Sequence, residues 1–385
     1  MKEKRGMFMI LIKNVHCFSP LDCGLCDILT GGGKILEIGI DLYVEGAEVV
    51  DGHGLTCIPG LIDQHIHIVG GGGEGGFSSK TPEVQLSSLL RGGVTSVVGM
   101  LGTDGYSRSI ENLISKAKAL KEEGISVWTI TGSYSYPSCT LTGSVTKDVL
   151  FIEEMIGCKI ALADHRSSHL SEEEFTRLAS EVRVAGMLAK KAGIIVVHMG
   201  DERSGFDLIN TVLQKTDIPI SLFRPTHVSR NPHLLDQALV FNRKGGWIDF
   251  TCGDEEKPFA KDYLLAKESG CDMSHITLSS DGQGSWSRYD QNGKCIEVGI
   301  SSCFALFEEL KRMVKTYKIP LSEALECCTI NVAKGLNLYP NKGVLQIESD
   351  ADLLLMNDQF EIDSVMAKGQ WMMKDQVLLQ KGMFE

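Results

Sequence analysis

The chain has 385 residues, and 43% hydrophobic with 23% charged residues is the balance of an ordinary soluble globular protein. A formal net charge of −12, with no run of Lys and Arg, leaves little to neutralise phosphates, so we expect no nucleic-acid partner. Because no apolar run approaches the roughly 18 residues of a membrane helix, we expect no membrane partner either.

The N-terminal segment imitates a signal peptide. Lys2, Lys4 and Arg5 precede the apolar run Met7–Ile12, but this run is short and ends at Lys13. We therefore interpret the run as a first strand.

The cysteines indicate a reducing compartment. Twelve of them are scattered along a chain without a secretory signal, so we expect reduced thiols and a cytoplasmic location. Cys23 and Cys26 form the one Cys-x-x-Cys motif. No second pair at zinc-finger spacing accompanies it, and we expect it to be incidental.

Both ends of the chain have strand-like patterns. Residues 1–57 alternate apolar segments with glycine-rich turns, which is typical of short antiparallel strands. Similar runs return near the C-terminus, as at Ala351–Met356. We predict a small β-sandwich domain formed from residues 1–57 plus 340–385, and a second domain at residues 58–339.

From Pro59 the rhythm changes to strand-like runs separated by amphipathic helices, which favours βαβ units and a parallel sheet. Eight runs are present, the number that closes a (β/α)8 TIM-type barrel. They are Leu61–Ile68, Val94–Leu101, Ile125–Thr131, Cys158–Leu162, Gly193–His198, Pro219–His227, Trp247–Phe250 and Ile276–Ser280. Two helix starts are predicted among them, at Thr81 before Pro82 and at the capping box Ser171–Glu174.

Two histidines end the first run, and their spacing is that of metal ligands. His65 and His67 stand two residues apart, which on a strand places both side chains on one face. They could form half of a tetrahedral metal site, or they could be hydrogen-bonded core histidines. Other polar residues lie in or just after later runs, where a barrel places its chemistry: Lys159, His198, His227 and Asp281. Six such coincidences favour the metal site.

The size of this set favours two metal ions. Four imidazoles and one carboxylate exceed the needs of one zinc, and two-metal hydrolases hold ions roughly 3.5 to 4 Å apart. Two divalent ions need bridging anions, and a cationic Lys159 would be repelled. A buried lysine loses its proton readily, and the neutral amine could take up carbon dioxide as an anionic carbamate.

The glycine run that follows His67 satisfies a dinucleotide-binding pattern, G-x-G-x-x-G, at Gly70, Gly72 and Gly75. Such a site would need a helix opening directly on the glycines, but residues 77–80 intervene. We interpret the glycines as letting the backbone approach a substrate and holding Glu74 over the metals.

Several strings within this pattern resemble the amidohydrolase superfamily, and within it the isoaspartyl dipeptidase family. The superfamily signal is the His-x-His motif, the strand lysine, the two later histidines and the final Asp. The more specific strings are Gly-Gly-Gly-Gly-Glu at 70–74, Asp-His-Arg-Ser at 164–167, Pro-Thr-His-Val-Ser-Arg-Asn at 225–231 and Leu-Ser-Ser-Asp-Gly at 278–282. The similarity covers nearly the whole chain.

This resemblance implies a role for each site residue. His65 and His67 would bind one zinc with Asp281, His198 and His227 would bind the other, and carboxylated Lys159 and a hydroxide would bridge them. Asp281 would also be the general base and acid. Tyr134 would donate to the developing oxyanion, with Tyr136 as the neighbouring alternative. The substrate shell would contain Glu74, Arg166, Arg230, Ser285, Gly72 and Thr103.

The charges of this shell fit the implied substrate. An isoaspartyl dipeptide carries one ammonium and two carboxylates, and the shell offers Glu74, Arg166 and Arg230, of which arginine binds carboxylates bidentately. The sequence does not assign each arginine to a carboxylate. Alternatively, the arginines are surface residues paired with local acids such as Asp164 or Asp201.

We therefore expect a metal-dependent dipeptidase, a homo-oligomer that hydrolyses the isopeptide bond of β-aspartyl dipeptides. Alternatives are another amidohydrolase, such as an N-acyl-D-amino-acid deacylase or a cyclic-amide hydrolase, and a catalytically silent scaffold with the same fold. A silent scaffold would lack metal ligands, whereas this chain contains all six.

Overall fold

The computed structural model describes residues 9–253, 256–292 and 294–385. The basic residues Lys2, Lys4 and Arg5 and the start of the predicted run Met7–Ile12 lie outside the described residues. The N-terminal part forms β1 (Met9–Phe18), β2 (Asp22–Gly31), β3 (Lys34–Gly39), β4 (Glu48–Asp51) and β5 (Thr56–Pro59). β1 to β3 are antiparallel as predicted, but β4 and β5 run parallel to β1 because the loop after β3 carries the chain back along the sheet.

The middle of the chain forms a parallel eight-stranded sheet whose neighbours follow chain order. Its strands are β6 (Leu61–Ile66), β7 (Val94–Gly99), β8 (Ser126–Gly132), β9 (Met155–Leu162), β10 (Ile194–Met199), β11 (Phe223–Thr226), β12 (Ile248–Thr251) and β13 (Ile276–Ser279). Each predicted run overlaps one of these strands. The sixth strand is shorter than predicted because Ile220–Leu222 form a 3₁₀ turn before it.

The remaining strands form a hairpin and complete the terminal sheet. β14 (Ser285–Tyr289) and β15 (Cys295–Ile300) pair only with each other, and β16 (Leu353–Met356), β17 (Ile362–Ala367), β18 (Gln370–Lys374) and β19 (Val377–Leu378) join the N-terminal strands. β16 lies antiparallel to β5, so the two ends of the chain share one nine-stranded sheet. The predicted fold, a barrel with a sheet from both termini, is confirmed, while the exact domain boundaries stay a prediction.

Ten α-helices are present among the described residues, and the first seven connect successive barrel strands. They are α1 (Leu86–Arg91), α2 (Ile110–Glu122), α3 (Val145–Phe151), α4 (Glu172–Ala189), α5 (Asp207–Lys215), α6 (Pro232–Arg243), α7 (Phe259–Glu268), α8 (Ala305–Lys315), α9 (Leu321–Glu326) and α10 (Ile330–Gly335). Among the described residues, no helix combines the length and apolar character needed to cross a membrane.

The two predicted helix starts have opposite outcomes. Ser171 and Glu174 form a capping box at the start of α4, as predicted. The start at Thr81 and Pro82 is wrong, since α1 begins at Leu86. The Thr81 hydroxyl instead donates to the carbonyl of Gln283 (2.6 Å) and accepts from the backbone N–H of Gly71 (2.7 Å). Tertiary contacts of the glycine loop therefore use the hydroxyl that a helix cap would have used.

The barrel has an apolar base and a polar mouth. Ile62, Ile156 and Ile194, each at the start of its strand, pack with Val332 of α10 and with Leu336, which follows it. This cluster fills the end of the barrel where the strands begin. Functional groups are therefore expected at the opposite end of the barrel, where the strands end and their loops meet.

The barrel closes between β6 and β13 through individual hydrogen bonds rather than a continuous ladder. The backbone N–H of His67 donates to the carbonyl of Gly282 (2.8 Å), and that of Ser280 donates to the Asp63 carboxylate (3.2 Å). These bonds bring the first and last strands together beside the two predicted ligands His67 and Asp281.

Candidate active site

All six predicted metal ligands lie in or just after barrel strands, at the mouth. His65 is in β6 and His67 follows it, Lys159 is in β9, and His198 is in β10. The other two, His227 and Asp281, follow β11 and β13. Every one is buried except Asp281, which is partly exposed.

Three of the six form a compact group. One ligand atom each from His65, His67 and Asp281 lie within 4.8 Å of one another. The Nε2 atoms of His65 and His67 are 3.4 and 3.1 Å from Oδ1 of Asp281. The Nδ1 atoms of both imidazoles are buried without a hydrogen-bond partner. Two imidazoles converging on one carboxylate are a donor set that zinc accepts, so these residues fit a metal ion.

Lys159 lies beside this group as a fully buried amine. Its Nζ is 3.0 Å from Nε2 of His65, and no carboxylate of the described residues lies within salt-bridge distance. Burial lowers the pKa of Lys159 to about 7, because the charged form is poorly solvated inside the barrel. A large share of the side chain is therefore a neutral amine at neutral pH.

His227 continues the group and is held in one orientation. Its ring centre is 5.0 Å from that of His65 and 4.7 Å from that of His198. Thr251 Oγ1 lies 2.6 Å from Nδ1 of His227, which leaves Nε2 for a ligand. Burial lowers the pKa of all four imidazoles, so they are neutral, as metal ligands must be.

His198 has protein partners on both ring nitrogens. The Tyr134 hydroxyl is 2.7 Å from Nδ1, and Oδ2 of Asp164 is 3.0 Å from Nε2. Of the two tyrosines considered from the sequence, Tyr134 lies at the site, whereas the Tyr136 side chain packs against the hydrophobic core. Burial raises the pKa of Tyr134, so its hydroxyl keeps its proton and can donate.

Two ligand candidates have an unusual backbone. His227 has φ 60° and Asp281 has φ 53°, both in the left-handed region that side chains other than glycine seldom adopt. Such conformations cost free energy and persist where the surroundings hold them. Both residues turn sharply at a strand end, which aims their side chains across the mouth.

The predicted substrate shell converges on Glu74. One oxygen of its carboxylate accepts from Thr103 Oγ1 (3.0 Å) and Arg166 Nη1 (3.2 Å), and the other accepts from Ser285 Oγ (2.9 Å). Gly72 holds the loop that carries Glu74: it has φ +80°, and a Cβ there would lie 2.4 Å from the Ser79 carbonyl oxygen.

The two arginines of this shell differ in their partners. Arg166 donates Nε and Nη2 to the carboxylate of Asp164 (2.9 and 2.7 Å), so the alternative of a local acid applies to it in part. Burial alone would raise the pKa of Asp164, but hydrogen bonds from Arg166 and His198 hold it well below its usual value. Arg166 keeps Nη1 for Glu74.

Arg230 has no carboxylate within salt-bridge distance among the described residues. Its Nη2 lies 3.4 Å from Nε2 of His198, and its buried Nε has no partner. The rival acid Asp201 accepts from Asn231 instead (3.3 Å). Arg230 is therefore the arginine most ready to receive an anion.

Sequence reasoning missed Thr251 and treated Asp164 only as a rival partner. The one available signal for Thr251 was its place at the end of the seventh strand, the only barrel strand to which no site residue had been assigned. Asp164 stands immediately before the His-Arg pair at 165–166, but only the structure shows that it binds both Arg166 and His198.

Comparisons with known proteins agree with this architecture. A model of the amidohydrolase family matches residues 56–372. The beta-aspartyl dipeptidase from the thermophilic, keratin-degrading Fervidobacterium islandicum AW-1, solved in complex with beta-Asp-Leu dipeptide, has a TM-score of 0.92 and 42% sequence identity. This match covers 96% of this chain and 98% of that chain. A second structure of that enzyme gives a TM-score of 0.89 and 39% identity over the same shares.

A further relative matches a shorter part of the chain. The dihydroorotase of Streptococcus pneumoniae is 35% identical over 127 residues, which is 32% of this chain and 29% of that enzyme. The match therefore spans less than a third of that relative's length.

Proposed function

The chain belongs to the amidohydrolase family, and from this premise we propose that it hydrolyses the isopeptide bond of β-aspartyl (isoaspartyl) dipeptides. The observation that carries the proposal is the charge pattern beside the histidine group. One carboxylate, Glu74, pairs with Arg166, and a second guanidinium, Arg230, has no acid partner among the described residues. The similarity to beta-aspartyl dipeptidases supports the same substrate class.

This charge pattern matches the substrate group by group. In a β-aspartyl dipeptide the α-ammonium and α-carboxylate are on one carbon, so they need an anion and a cation side by side. Glu74 and Arg166 supply these, 3.2 Å apart. The remaining carboxylate, at the C-terminus, would then fall to Arg230. Buried charges are costly unless paired, which makes all three contacts selective.

We further propose a binuclear metal centre of two divalent ions, zinc being the expected metal. His65, His67 and Asp281 would hold one ion, and His198 and His227 the other. When bound, such ions lower the pKa of a water toward 7 and polarise the scissile carbonyl. His198 would exchange one of its present partners for the ion.

Lys159 would act in this centre as a carbamate. Its neutral amine is nucleophilic, it has no carboxylate partner among the described residues, and it touches His65. The carbamate would supply the anionic bridge that an ammonium cannot.

Two further residues would carry the chemical steps. Asp281 would take a proton from the attacking water and deliver it to the departing amine, since its Oδ1 lies at the centre of the histidine group. Tyr134 would donate its hydroxyl to the oxygen that develops negative charge. Thr251 and Asp164 would orient His227 and His198.

The partial match to a dihydroorotase favours cyclic-amide hydrolysis as a second candidate. A cyclic amide of that kind carries no free ammonium, so it would leave Glu74 without a charged partner. This difference lets one assay separate the two functions.

The test is a comparison of four substrates with purified, metal-analysed protein. We expect β-Asp-Leu to be cleaved, with α-Asp-Leu, N-acetyl-β-Asp-Leu and dihydroorotate slower by at least about 10²-fold, the factor for a lost charge-assisted contact. About two divalent ions per chain should accompany activity. Faster turnover of dihydroorotate than of β-Asp-Leu would favour the second candidate, and activity without metal would overturn the metal centre.

A further inference from the structure

Backbone contacts join the two ends of the loop that carries Glu74. We call residues 69–81 the glycine loop. Its two stems meet through the backbone bond from Thr81 N–H to the Gly71 carbonyl (3.0 Å) and a bridge between Gly72 and Lys80. At Gly70, with φ +78°, a Cβ would lie 2.3 Å from the Thr81 carbonyl oxygen, so the stems touch where no side chain fits.

Arg108 binds both stems of this loop. Its guanidinium donates to the carbonyl of Val69 and, more weakly, to that of Gly71 (3.4 Å) on the incoming stem. It also donates to the carbonyl of Thr81 (2.7 Å) on the outgoing stem. One planar group with several donors therefore holds both ends of the glycine loop at once.

The partners of Arg108 are unusual for a partly buried cation. Such charges are normally paired with an acid, but Arg108 has no salt bridge within the described part of the chain, and its buried Nε has no partner. Its contacts are carbonyl oxygens only. Arg108 immediately precedes Ser109, the N-cap of α2, whose side chain accepts from the backbone N–H of Asn112, so Arg108 stands at a capped helix start.

We propose that Arg108 is a positioning residue for substrate selectivity: by clamping the stems of the glycine loop, it holds Glu74 where the α-ammonium of the substrate is read. The inference rests on the proposed function for the role of Glu74. Arg108 does not touch the Glu74 carboxylate, whose contacts are Thr103, Arg166 and Ser285. Its effect on the substrate is therefore indirect, through the position of Glu74, the carboxylate that would bind the ammonium.

The kinetic test uses a pair of substrates that differ only in that ammonium. N-succinyl-leucine is β-Asp-Leu without the α-amino group. We expect Arg108→Met to lower kcat/KM for β-Asp-Leu by about tenfold, mainly through KM, because Glu74 loses its fixed position. The same variant should leave the rate with N-succinyl-leucine within about twofold. Arg108→Lys should lie between, since a compact ammonium cannot span both stems.

Arg91→Met is the matched control, since Arg91 is an exposed arginine at the end of α1, the helix that follows the glycine loop. It should leave both substrates unchanged. Equal losses for both substrates in Arg108→Met would show general damage to the fold, and no loss with either would show that the clamp is dispensable. Both results would overturn the proposal.

A second measurement needs no substrate. Hydrogen exchange of the amides in residues 70–81 should be at least about tenfold faster in Arg108→Met than in the unaltered protein and in Arg91→Met, because the stems open locally. Unchanged exchange would overturn the clamp even if the enzyme cleaved neither substrate. Absence of β-Asp-Leu cleavage in the unaltered protein, with faster exchange in the variant, would instead reject the proposed function and the selectivity role that rests on it, while the clamp on the loop stems would stand.

Discussion

The mouth and the base of the barrel each contain a buried lysine, and only the lysine at the base is paired with carboxylates of the described residues. At the base, Lys342 donates to Ser126 (2.7 Å) and pairs with the carboxylates of Asp350 (2.9 Å) and Asp352. At the mouth, Lys159 has only His65 within hydrogen-bond distance among the described residues. Burial is nearly complete for both, so the difference lies in their partners.

Their pKa values follow from those partners. Burial alone would lower the pKa of Lys342, but Asp352 and Asp350 raise it above its ordinary value, so this lysine stays charged and ties the barrel to the terminal sheet. Burial lowers the pKa of Lys159 to about 7, because the charge of Asp281, which raises it, offsets only part of the cost of burial. The charge of Lys342, balanced by two carboxylates, contributes to stability, whereas the shifted pKa of Lys159 is typical of a group with a chemical role.

The largest expected effect is at the mouth. Lys159→Ala should reduce kcat for β-Asp-Leu by about 10⁴-fold, since two metal ions supply several kcal/mol of transition-state stabilisation and lose their bridge. In metal-free protein, the melting temperature of this variant should not fall, because a buried amine without a carboxylate partner among the described residues is removed. Short carboxylates should restore part of the activity. Full activity with an unmodified amine, seen by native mass analysis, would refute the carbamate.

Asp281→Asn should lower kcat by about 10³-fold, within the range for lost acid-base catalysis, while the protein keeps much of its metal. Steady-state kinetics with elemental analysis of the same sample checks this. A variant within a few-fold of the unaltered enzyme would mean that another group carries the proton.

Lys342→Met should give the reverse outcome at the base. Removing Lys342 leaves Asp352 without a cation partner among the described residues and leaves Asp350 with Lys34, and breaking a buried pair costs about 3 to 5 kcal/mol of unfolding free energy. At low temperature kcat should stay within about twofold. Urea unfolding measures the first and the β-Asp-Leu assay the second. Lost activity in a stably folded variant would show that base and mouth are coupled.

Glu74→Gln and Arg230→Met should each reduce kcat/KM for β-Asp-Leu by about 10²-fold. N-acetylated substrate should already lack the contact with Glu74, so Glu74→Gln should add little to that loss. C-terminal amidation should likewise mimic Arg230→Met, if Arg230 reads the C-terminal carboxylate. If amidation mimicked Arg166→Met instead, the two arginines would have to be exchanged in the proposed assignment.

The smallest effect concerns alkaline pH. Because the pKa of Lys342 is raised in the folded state, its contribution to stability is complete below its unfolded pKa near 10.5 and falls as pH rises above that value. The unaltered protein should therefore lose more unfolding free energy than Lys342→Met between pH 10 and 11.5. Parallel curves would show that Lys342 does not titrate differently in the two states.

Much of the fold was predictable because its signals are local. Eight apolar runs and the capping box at Ser171 each depend on residues close in sequence, and the structure has a strand or helix at each. The predicted helix start at Thr81 was wrong because its hydroxyl is used in a contact that is not local in sequence. Its helix-start pattern was correct as a local preference, but Gln283, about 200 residues away, provides a partner that the pattern cannot contain.

The candidate site divides in the same way. Residue type and position at strand ends, read together with family resemblance, selected His65, His67, Lys159, His198, His227 and Asp281 from the sequence. Their convergence needed the closed barrel. That Arg166 is already bound by Asp164 while Arg230 is not depends on side-chain directions after two different strands, for which the sequence has no local signal.

By itself, then, the sequence determined which chemical groups this protein can bring to a substrate, since imidazoles, carboxylates and guanidiniums are fixed by residue type and their strand-end positions by hydrophobic rhythm. Only the tertiary structure decided which of these groups remain unpaired. Pairing is a property of distance, and burial makes each missing partner costly. Segments far apart in the chain surround the imidazole Nδ1 atoms of His65 and His67 without giving them a hydrogen-bond partner. Contacts between distant segments also place Lys159 beside His65 and the Arg108 guanidinium on the carbonyl of Val69.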